Sequence, residues 1–235
     1  NRLIDQLRFN AFHDPLTSLP NRNLFMERLE RLIEHVKRDK SSSFSVLFLD
    51  LDRFKIINDS LGHLSGDKLL ILIAKKLTEC LRKADTVSRF GGDEFAILLH
   101  SVDDAFNANF VAERILEDLK KPFIVNGHKI VISASIGIVL KGELYNSPED
   151  ILRDADTVMY QAKTLGKARY AIFNREMHDT AMNFLHLEND LRHAIERSEL
   201  VIYYQPIVSL ANAEIVAIEA LARWQHPQRG LLLPD

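Results

Sequence analysis

The sequence predicts an α/β (α+β) fold in which a mixed central sheet is flanked by helices. Three observations carry that expectation. Phe44 to Leu49 is a short, continuous apolar run ending in Asp50-Leu51-Asp52, the pattern of a strand buried on both faces. Thr86 to Phe90 and Glu94 to Leu99 are joined across Gly91-Gly92, a glycine pair suited to a tight hairpin turn. Between such strands lie segments with helical apolar spacing, and helical crossovers mixed with hairpins argue for one sheet with helices packed on it.

In chain order, residues Asn1 to Phe12 read as the tail of an amphipathic helix with Leu3, Ile4 and Leu7 on one side. Asp14-Pro15 and Leu19-Pro20 break it, because a residue before proline avoids helical geometry. Asn21 can cap the next helix, whose stripe is Phe25, Leu29, Leu32, Ile33 and Val36. After the first strand a short helix holds Phe54 to Ser60, and Gly62 to Gly66 reads as a loop. Asp67 then opens a helix striped by Leu70, Ile73, Leu77 and Leu81.

Ala105 to Lys120 is expected to be helical. A second hairpin turns at Asn126-Gly127 and continues through Ile130 to Leu140. Pro148 to Thr164 reads as a helix and Ala168 to Phe173 as the last strand of this region. From Met177 to Arg197 a helix would turn Phe184, Leu187, Leu191, Ala194 and Ile195 inward.

A chain of 235 residues suffices for one sizeable domain and part of another, taking about 100–200 residues per domain. Apolar residues at 46% and charged residues at 27% are the mix of a globular protein. A net charge of −3 gives no basic stripe for nucleic-acid binding. Small anionic ligands stay open, because a few cations and backbone amides can hold a phosphate whatever the net charge. Cys80 is the single cysteine, so an intrachain disulfide is excluded and a reducing, cytoplasmic compartment fits best. Its neighbours Leu77 and Leu81 place it at a buried helix position. No apolar run approaches the ~20 residues of a membrane span, so this segment should make no membrane contact. Both ends read as cuts, which leaves room for a membrane-anchored protein of which this is a cytoplasmic part.

The chemistry concentrates where acids meet glycines at strand ends. Asp50 closes the buried strand, and Asp93 and Glu94 follow the two-glycine turn. Were strand and hairpin neighbours, these carboxylates would converge, and hard oxygen ligands suit Mg²⁺ bridging substrate phosphates. Gly91 and Gly92 would let phosphates approach the backbone amides. A solvated hairpin with surface acids is the competing reading. Lys163 and Lys167, one helical turn apart, either hold phosphates or simply face water at a helix C-terminus. Asn58, His63 and Asp67 flank one loop, where an amide and a carboxylate could read a guanine edge or merely cap helices.

These residues carry a family resemblance. Arg89-Phe90-Gly91-Gly92-Asp93-Glu94-Phe95 resembles the signature of GGDEF-type diguanylate cyclases. Three further blocks match in the same order. They are Asp14-Pro15-Leu16-Thr17-Ser18-Leu19-Pro20-Asn21-Arg22; Asp50-Leu51-Asp52-Arg53-Phe54-Lys55 with Asn58-Asp59, Gly62-His63 and Gly66-Asp67; and Tyr160-Gln161-Ala162-Lys163 with Gly166-Lys167. The resemblance spans about Phe12 to Phe173.

It implies a palm-like nucleotide cyclase fold and the joining of two GTP into cyclic di-GMP with release of two pyrophosphates. By the same resemblance, Asp50, the Leu51 carbonyl and Asp93 would bind Mg²⁺ (or Mn²⁺). Asp93 would be the candidate base, and Glu94 would complete the acidic cluster. Phe54, Asn58, His63, Asp67, Gly91 and Gly92 would hold the guanine nucleotide, and Lys163 and Lys167 its terminal phosphates. Turnover would need a homodimer, one GTP per domain. Arg82-x-x-Asp85 resembles the product-binding inhibitory site, for which a surface ion pair is the alternative. Ser18 stands where the family usually has glycine and Lys167 where arginine is common. A regulatory domain that binds GTP or cyclic di-GMP without catalysis is the runner-up.

The closing segment resembles the opening of an EAL domain, the cyclic di-GMP phosphodiesterase family. The matching strings are Tyr203-Tyr204-Gln205-Pro206-Ile207-Val208 and Glu219-Ala220-Leu221-Ala222-Arg223-Trp224. By resemblance Glu219 would be a metal ligand, with Gln205 and Arg223 near the dinucleotide. The segment would be a fragment of an EAL barrel, lacking the other acidic ligands, without hydrolase activity and not expected to fold stably. The expected layout is therefore a linker helix at 1–12, a GGDEF domain at 13–175, a connecting helix at 176–198 and the start of an EAL domain at 199–235.

Overall fold

The first strand, β1 (Phe44–Asp52), is buried along its whole length. Strand alternation sends Leu47, Leu49 and Leu51 to one face and Val46 and Phe48 to the other, so both faces need cover. In this computed structural model, which describes residues 9–39, 42–100, 105–140, 145–173, 187, 190–195 and 197–233, helices supply that cover on both sides. On one face lie α2 (Phe54–Leu61), α3 (His63–Glu79) and α4 (Ala105–Leu119). On the other lie α1 (Arg22–Arg38) and α5 (Pro148–Thr164).

The sheet has five strands, adding β2 (Thr86–Gly91), β3 (Glu94–His100), β6 (Ser133–Leu140) and β7 (Tyr170–Ile172), in the order β2-β3-β1-β6-β7. Pairings are antiparallel except β6 with β7, which is parallel. The mixed sheet flanked by helices is the architecture that the sequence predicts. Its hairpin across Gly91-Gly92 is also present, with Gly91 opposite Glu94.

Local chemistry explains the helix boundaries. The Asn21 side chain accepts the Leu24 amide proton at 3.2 Å and donates to the Ala11 carbonyl at 3.0 Å, tying the start of α1 to the preceding chain. Ser147 caps α5 through the Asp150 amide, with Pro148 at the first helical position. On β6, a Cβ at Gly137 would sit 2.0 Å from the Ala155 carbonyl oxygen and 2.5 Å from the Met159 amide nitrogen. Glycine here lets the α5 backbone touch the sheet.

Several sequence expectations shift. The helix expected from Asp67 begins at His63, since only Gly62, with φ +81, interrupts the path from α2 to α3. It ends at Glu79, so Cys80 is buried at the C-cap rather than within the helix, and Leu81 lies beyond it. The second hairpin is a separate two-stranded sheet, β4 (Phe123–Val125) with β5 (His128–Ile130), and does not run on to Leu140. Asn126 (φ +50) and Gly127 (φ +83) fold β5 back on β4, whereas β6 pairs with β1 from Ser133 onward.

Contacts divide the chain into two units, Asn1–His178 and Asp179–Asp235. The second unit holds an antiparallel sheet in the order β10 (Gly230–Leu232), β9 (Ile215–His226), β8 (Leu200–Val208), and no closed barrel is described. Residues 190–194 are helical, as expected. Of the stripe proposed to turn inward, Ala194 is buried, while Leu191 and Ile195 are exposed. Leu3, Ile4, Leu7 and Phe184 lie outside the described residues.

Candidate functional site

Register brings the predicted acids together. In the β1–β3 ladder Asp50 is the direct partner of Glu94, and the Leu51 amide donates to the Asp93 carbonyl at 3.2 Å. Period-two alternation puts Asp50 and Glu94 on the α5 face of the sheet. From α5, Lys163 reaches Asp50 Oδ2 at 2.8 Å. Burial raises the Asp50 pKa; the Lys163 hydrogen bond opposes this, and the charge of Asp93 adds to it. Burial also raises Glu94, with further upward push from Asp50, Asp156 and Asp93. The result is a group of carboxylates at one end of the sheet with one ammonium ion among them.

The glycine turn is open and clamped. Gly91 (φ +149) and Gly92 (φ +49) have nothing within 4 Å of where a Cβ would stand, so the turn presents bare backbone. The Arg89 guanidinium donates to the Gly92 carbonyl at 3.1 and 2.8 Å and to both Asp14 oxygens at 3.0 and 3.1 Å. Asp14 also accepts from the Thr17 amide and hydroxyl. Burial pulls the Asp14 carboxyl upward, yet its bonds to Thr17 and Arg89 outweigh this and hold it below its usual value. Ser18, where glycine is the family habit, takes φ +59, the left-handed conformation that explains the habit. The Asp14–Arg89 pair was not singled out from sequence, because partners 75 residues apart leave no local signal.

The nucleotide-side residues surround the α2–α3 junction. Phe54 is buried at the start of α2, and Asn58 lies one turn further on. Asn58 Oδ1 is buried without a partner among the described residues and packs so close to Gly66 that a Cβ there would lie 1.9 Å away. His63 is exposed at the start of α3, and Asp67 is half-buried one turn on. Neither Asn58 nor Asp67 caps a helix N-terminus; α2 and α3 both start without a side-chain cap. The first amides of α2 follow Arg53 (φ +60) directly after Asp52, and uncapped helix amides are a ready anion site.

Lys163 and Lys167 are not a pair on one helix. α5 ends at Thr164; Gly166 (φ +118) and Lys167 (φ +63) turn the chain away, and the Lys167 amide bonds back to the Ala162 carbonyl at 3.1 Å. Lys163 is half-buried on Asp50, and Lys167 is exposed on the following turn.

Arg82 and Asp85 line a separate cavity of about 70 Å³ with His100, Asn107, Phe110 and Arg114. Asp85 accepts from the backbone amides of Arg82 and His100 at 3.0 and 3.2 Å. Arg114, 5.7 Å above the Phe110 ring, adds a second guanidinium that sequence reasoning missed. Its only signal is a shared helix face with Asn107 and Phe110.

A larger cavity of about 370 Å³ adjoins Glu94 and Asp156. Another, about 390 Å³, lies between α1 and α5 away from Asp50 and Glu94 and is lined by Glu27, Glu30, Glu34 and Glu149.

In the second unit Gln205 and Glu219 are direct cross-strand partners, and Arg223 lies on the same face four residues along β9. Among the described residues, no group of three or more His, Cys, Asp or Glu side chains is gathered closely enough to hold a metal ion, and no helix is long and apolar enough to cross a membrane.

Comparison with known proteins agrees with this geometry. The profile of "Diguanylate cyclase, GGDEF domain" matches residues 11–169, and that of the EAL domain matches residues 188–235. The bifunctional diguanylate cyclase/cyclic di-GMP phosphodiesterase MucR of Pseudomonas aeruginosa is 43% identical over 100% of this chain and 33% of its own length. The cyclic di-GMP phosphodiesterase NbdA of the same organism is 39% identical over 97% of this chain and 29% of its own. The chain thus spans about a third of the curated relatives it matches. Among solved structures, the GGDEF domain of TpbB (YfiN) from Pseudomonas aeruginosa superimposes with a TM-score of 0.69 at 38% identity, covering 72% of this chain and 99% of that one. With the signature turn, the strand register and the profile over most of its length in agreement, the chain belongs to the GGDEF diguanylate cyclase family, followed by a segment of the EAL family.

Proposed function

We propose that the first unit condenses two GTP molecules into cyclic di-GMP, with release of two pyrophosphates, within a GGDEF–EAL signalling protein. The observation that carries this reading is the register of Asp50 against Glu94, with Asp93 joined through its carbonyl to Leu51.

The donor chemistry fits a hard divalent cation, Mg²⁺ or Mn²⁺. Asp50, Asp93 and the Leu51 carbonyl offer only oxygen, and burial with repulsion from neighbouring carboxylates raises the pKa of Asp50 and Glu94, so a cation held beside them would favour their ionised forms. Bound there, such an ion would neutralise phosphate charge and polarise the phosphorus–oxygen bonds. The chain's own residues do the rest. Asn58 and Asp67 orient the guanine, and the bare Gly91-Gly92 backbone admits the phosphates. The uncapped α2 amides, Lys163 and Lys167 hold the triphosphate. Asp93 accepts the proton of the 3′-hydroxyl as that oxygen attacks the α-phosphate of the second GTP and pyrophosphate departs. Catalysis rests on positioning and charge neutralisation. One domain offers one such site, so two copies must face each other as a homodimer. Arg82 and Asp85, with Arg114, form the candidate inhibitory site for cyclic di-GMP.

Incubating the purified chain with GTP and Mg²⁺ and separating the nucleotides by chromatography tests this reading. Cyclic di-GMP should form, and Asp93→Asn should stop its formation while leaving the circular dichroism spectrum unchanged. Consumption of GTP without a cyclic dinucleotide would end the cyclase reading. The second reading, a regulatory domain that binds GTP without turnover, is supported by the relative NbdA, which is named a phosphodiesterase. GTP bound but unconsumed would favour it.

A further inference from the structure

Asp52 is the acid of the Asp50-Leu51-Asp52 string that the proposed mechanism leaves idle. It is 6% exposed, and its carboxylate is engaged from three directions. Ser135 Oγ donates to Oδ1 at 2.7 Å, Ser133 Oγ to Oδ2 at 2.7 Å, and the Ala168 amide to Oδ2 at 3.0 Å. A carboxylate has about four lone-pair positions, and three are spent on internal donors, which leaves little for a metal ion. The Ala168 bond crosses 116 residues of sequence and ends in the turn after α5. There Lys167 (φ +63) and Ala168 (φ +50) are consecutive left-handed residues, a conformation that side chains disfavour and that persists only where something holds it. Three bonds tie it down: the Lys167 amide to the Ala162 carbonyl, the Arg169 side chain to the Lys167 carbonyl at 3.2 Å, and the Ala168 amide to Asp52, the one that reaches the strand carrying Asp50.

We infer that Asp52 is a positioning residue for the phosphate side of the site. It fastens the turn that carries Lys167 to the strand that carries Asp50, and so sets where the Lys167 ammonium meets the terminal phosphates of the nucleotide. The inference rests on the cyclase reading for the identity of that nucleotide, but the fastening itself does not.

The chemistry separates this role from a charge role. Asp52→Asn keeps an oxygen for the Ala168 and Ser133 donors, because the Ser135 hydroxyl can rotate to accept from the new amide. Asp52→Ala keeps none. Two measurements on the 235-residue chain are decisive. Amide hydrogen exchange at Ala168 should lose protection in Asp52→Ala and keep it in Asp52→Asn, with or without nucleotide.

Calorimetric titration with GTP and with GDP in Mg²⁺ should show a preference for GTP that falls about tenfold in Asp52→Ala, the scale of one charge-assisted hydrogen bond. The preference should stay within about twofold of the parent in Asp52→Asn, and Lys167→Ala should add little to the loss already caused by Asp52→Ala. Equal losses in the Asn and Ala variants would overturn the inference and make Asp52 a charge-bearing ligand. Additive losses with Lys167→Ala would overturn the link to Lys167. A parent chain that binds no GTP while the exchange pattern holds would remove the cyclase reading and leave the fastening intact.

Discussion

Replacing Gly137 by alanine should destabilise the first unit far more than one methyl group would suggest. The new Cβ would lie 2.0 Å from the Ala155 carbonyl oxygen and 2.5 Å from the Met159 amide nitrogen, against ordinary contacts of 3.4 Å or more. Both obstacles are backbone of α5, so no side chain can swing aside, and helix and sheet must part by about an ångström or more. Overpacking costs about 1–3 kcal/mol, and this backbone clash belongs at the upper end, about 3 kcal/mol. For a unit of this size that corresponds to a fall in Tm of about 6–12 °C.

Far-UV circular dichroism is the right probe, because helices α1 to α5 all lie in the first unit, whereas Trp224, the sole tryptophan, lies in the second. Gly127→Ala is the control: φ +83 with open space around it, so only backbone strain of about 1 kcal/mol is at stake. A loss for Gly137→Ala no larger than for Gly127→Ala would refute the close-approach argument. Because α5 carries Lys163 and Asp156, GTP turnover should fall with stability.

Three further outcomes are expected. Asp14→Asn should cost about 2 kcal/mol near neutral pH by leaving the Arg89 guanidinium without its carboxylate. Since the folded Asp14 pKa is lowered, its contribution is complete above the usual aspartate range and lost as pH falls through the folded value. Urea titrations of parent and variant should therefore converge at acid pH, and a gap that stays constant would refute the assignment. Arg82→Ala should weaken product inhibition by about tenfold or more, read from initial rates at increasing cyclic di-GMP, and unchanged inhibition would remove the Arg82 site. Ala168→Asn should raise Tm by a degree or more, because asparagine tolerates φ +50 better than alanine does; a fall in Tm would show that the turn is not strained.

Much of the fold was written in local pattern. The apolar first strand, the cap at Asn21, the glycine-pair hairpin and the stripes of the long helices all depend on neighbours within a few residues, which a sequence displays directly. The acids of the candidate site were legible for the same reason, since each lies near the end of a strand or follows a turn.

Contacts between distant segments were not. Period and spacing say nothing of which strand lies beside which, so only the tertiary structure set Asp50 opposite Glu94. It also seated Lys163 on Asp50 and moved Lys167 off the helix into a left-handed turn. Asp52, to which sequence pattern alone assigns no role of its own, became the acceptor for an amide 116 residues away. Arg89 and Asp14, 75 residues apart, became one clamp on the glycine turn. A carboxylate looks the same in sequence whether it will face an ion, a serine or a guanidinium. The difference arises only when folding removes water and leaves particular donors within 3 Å.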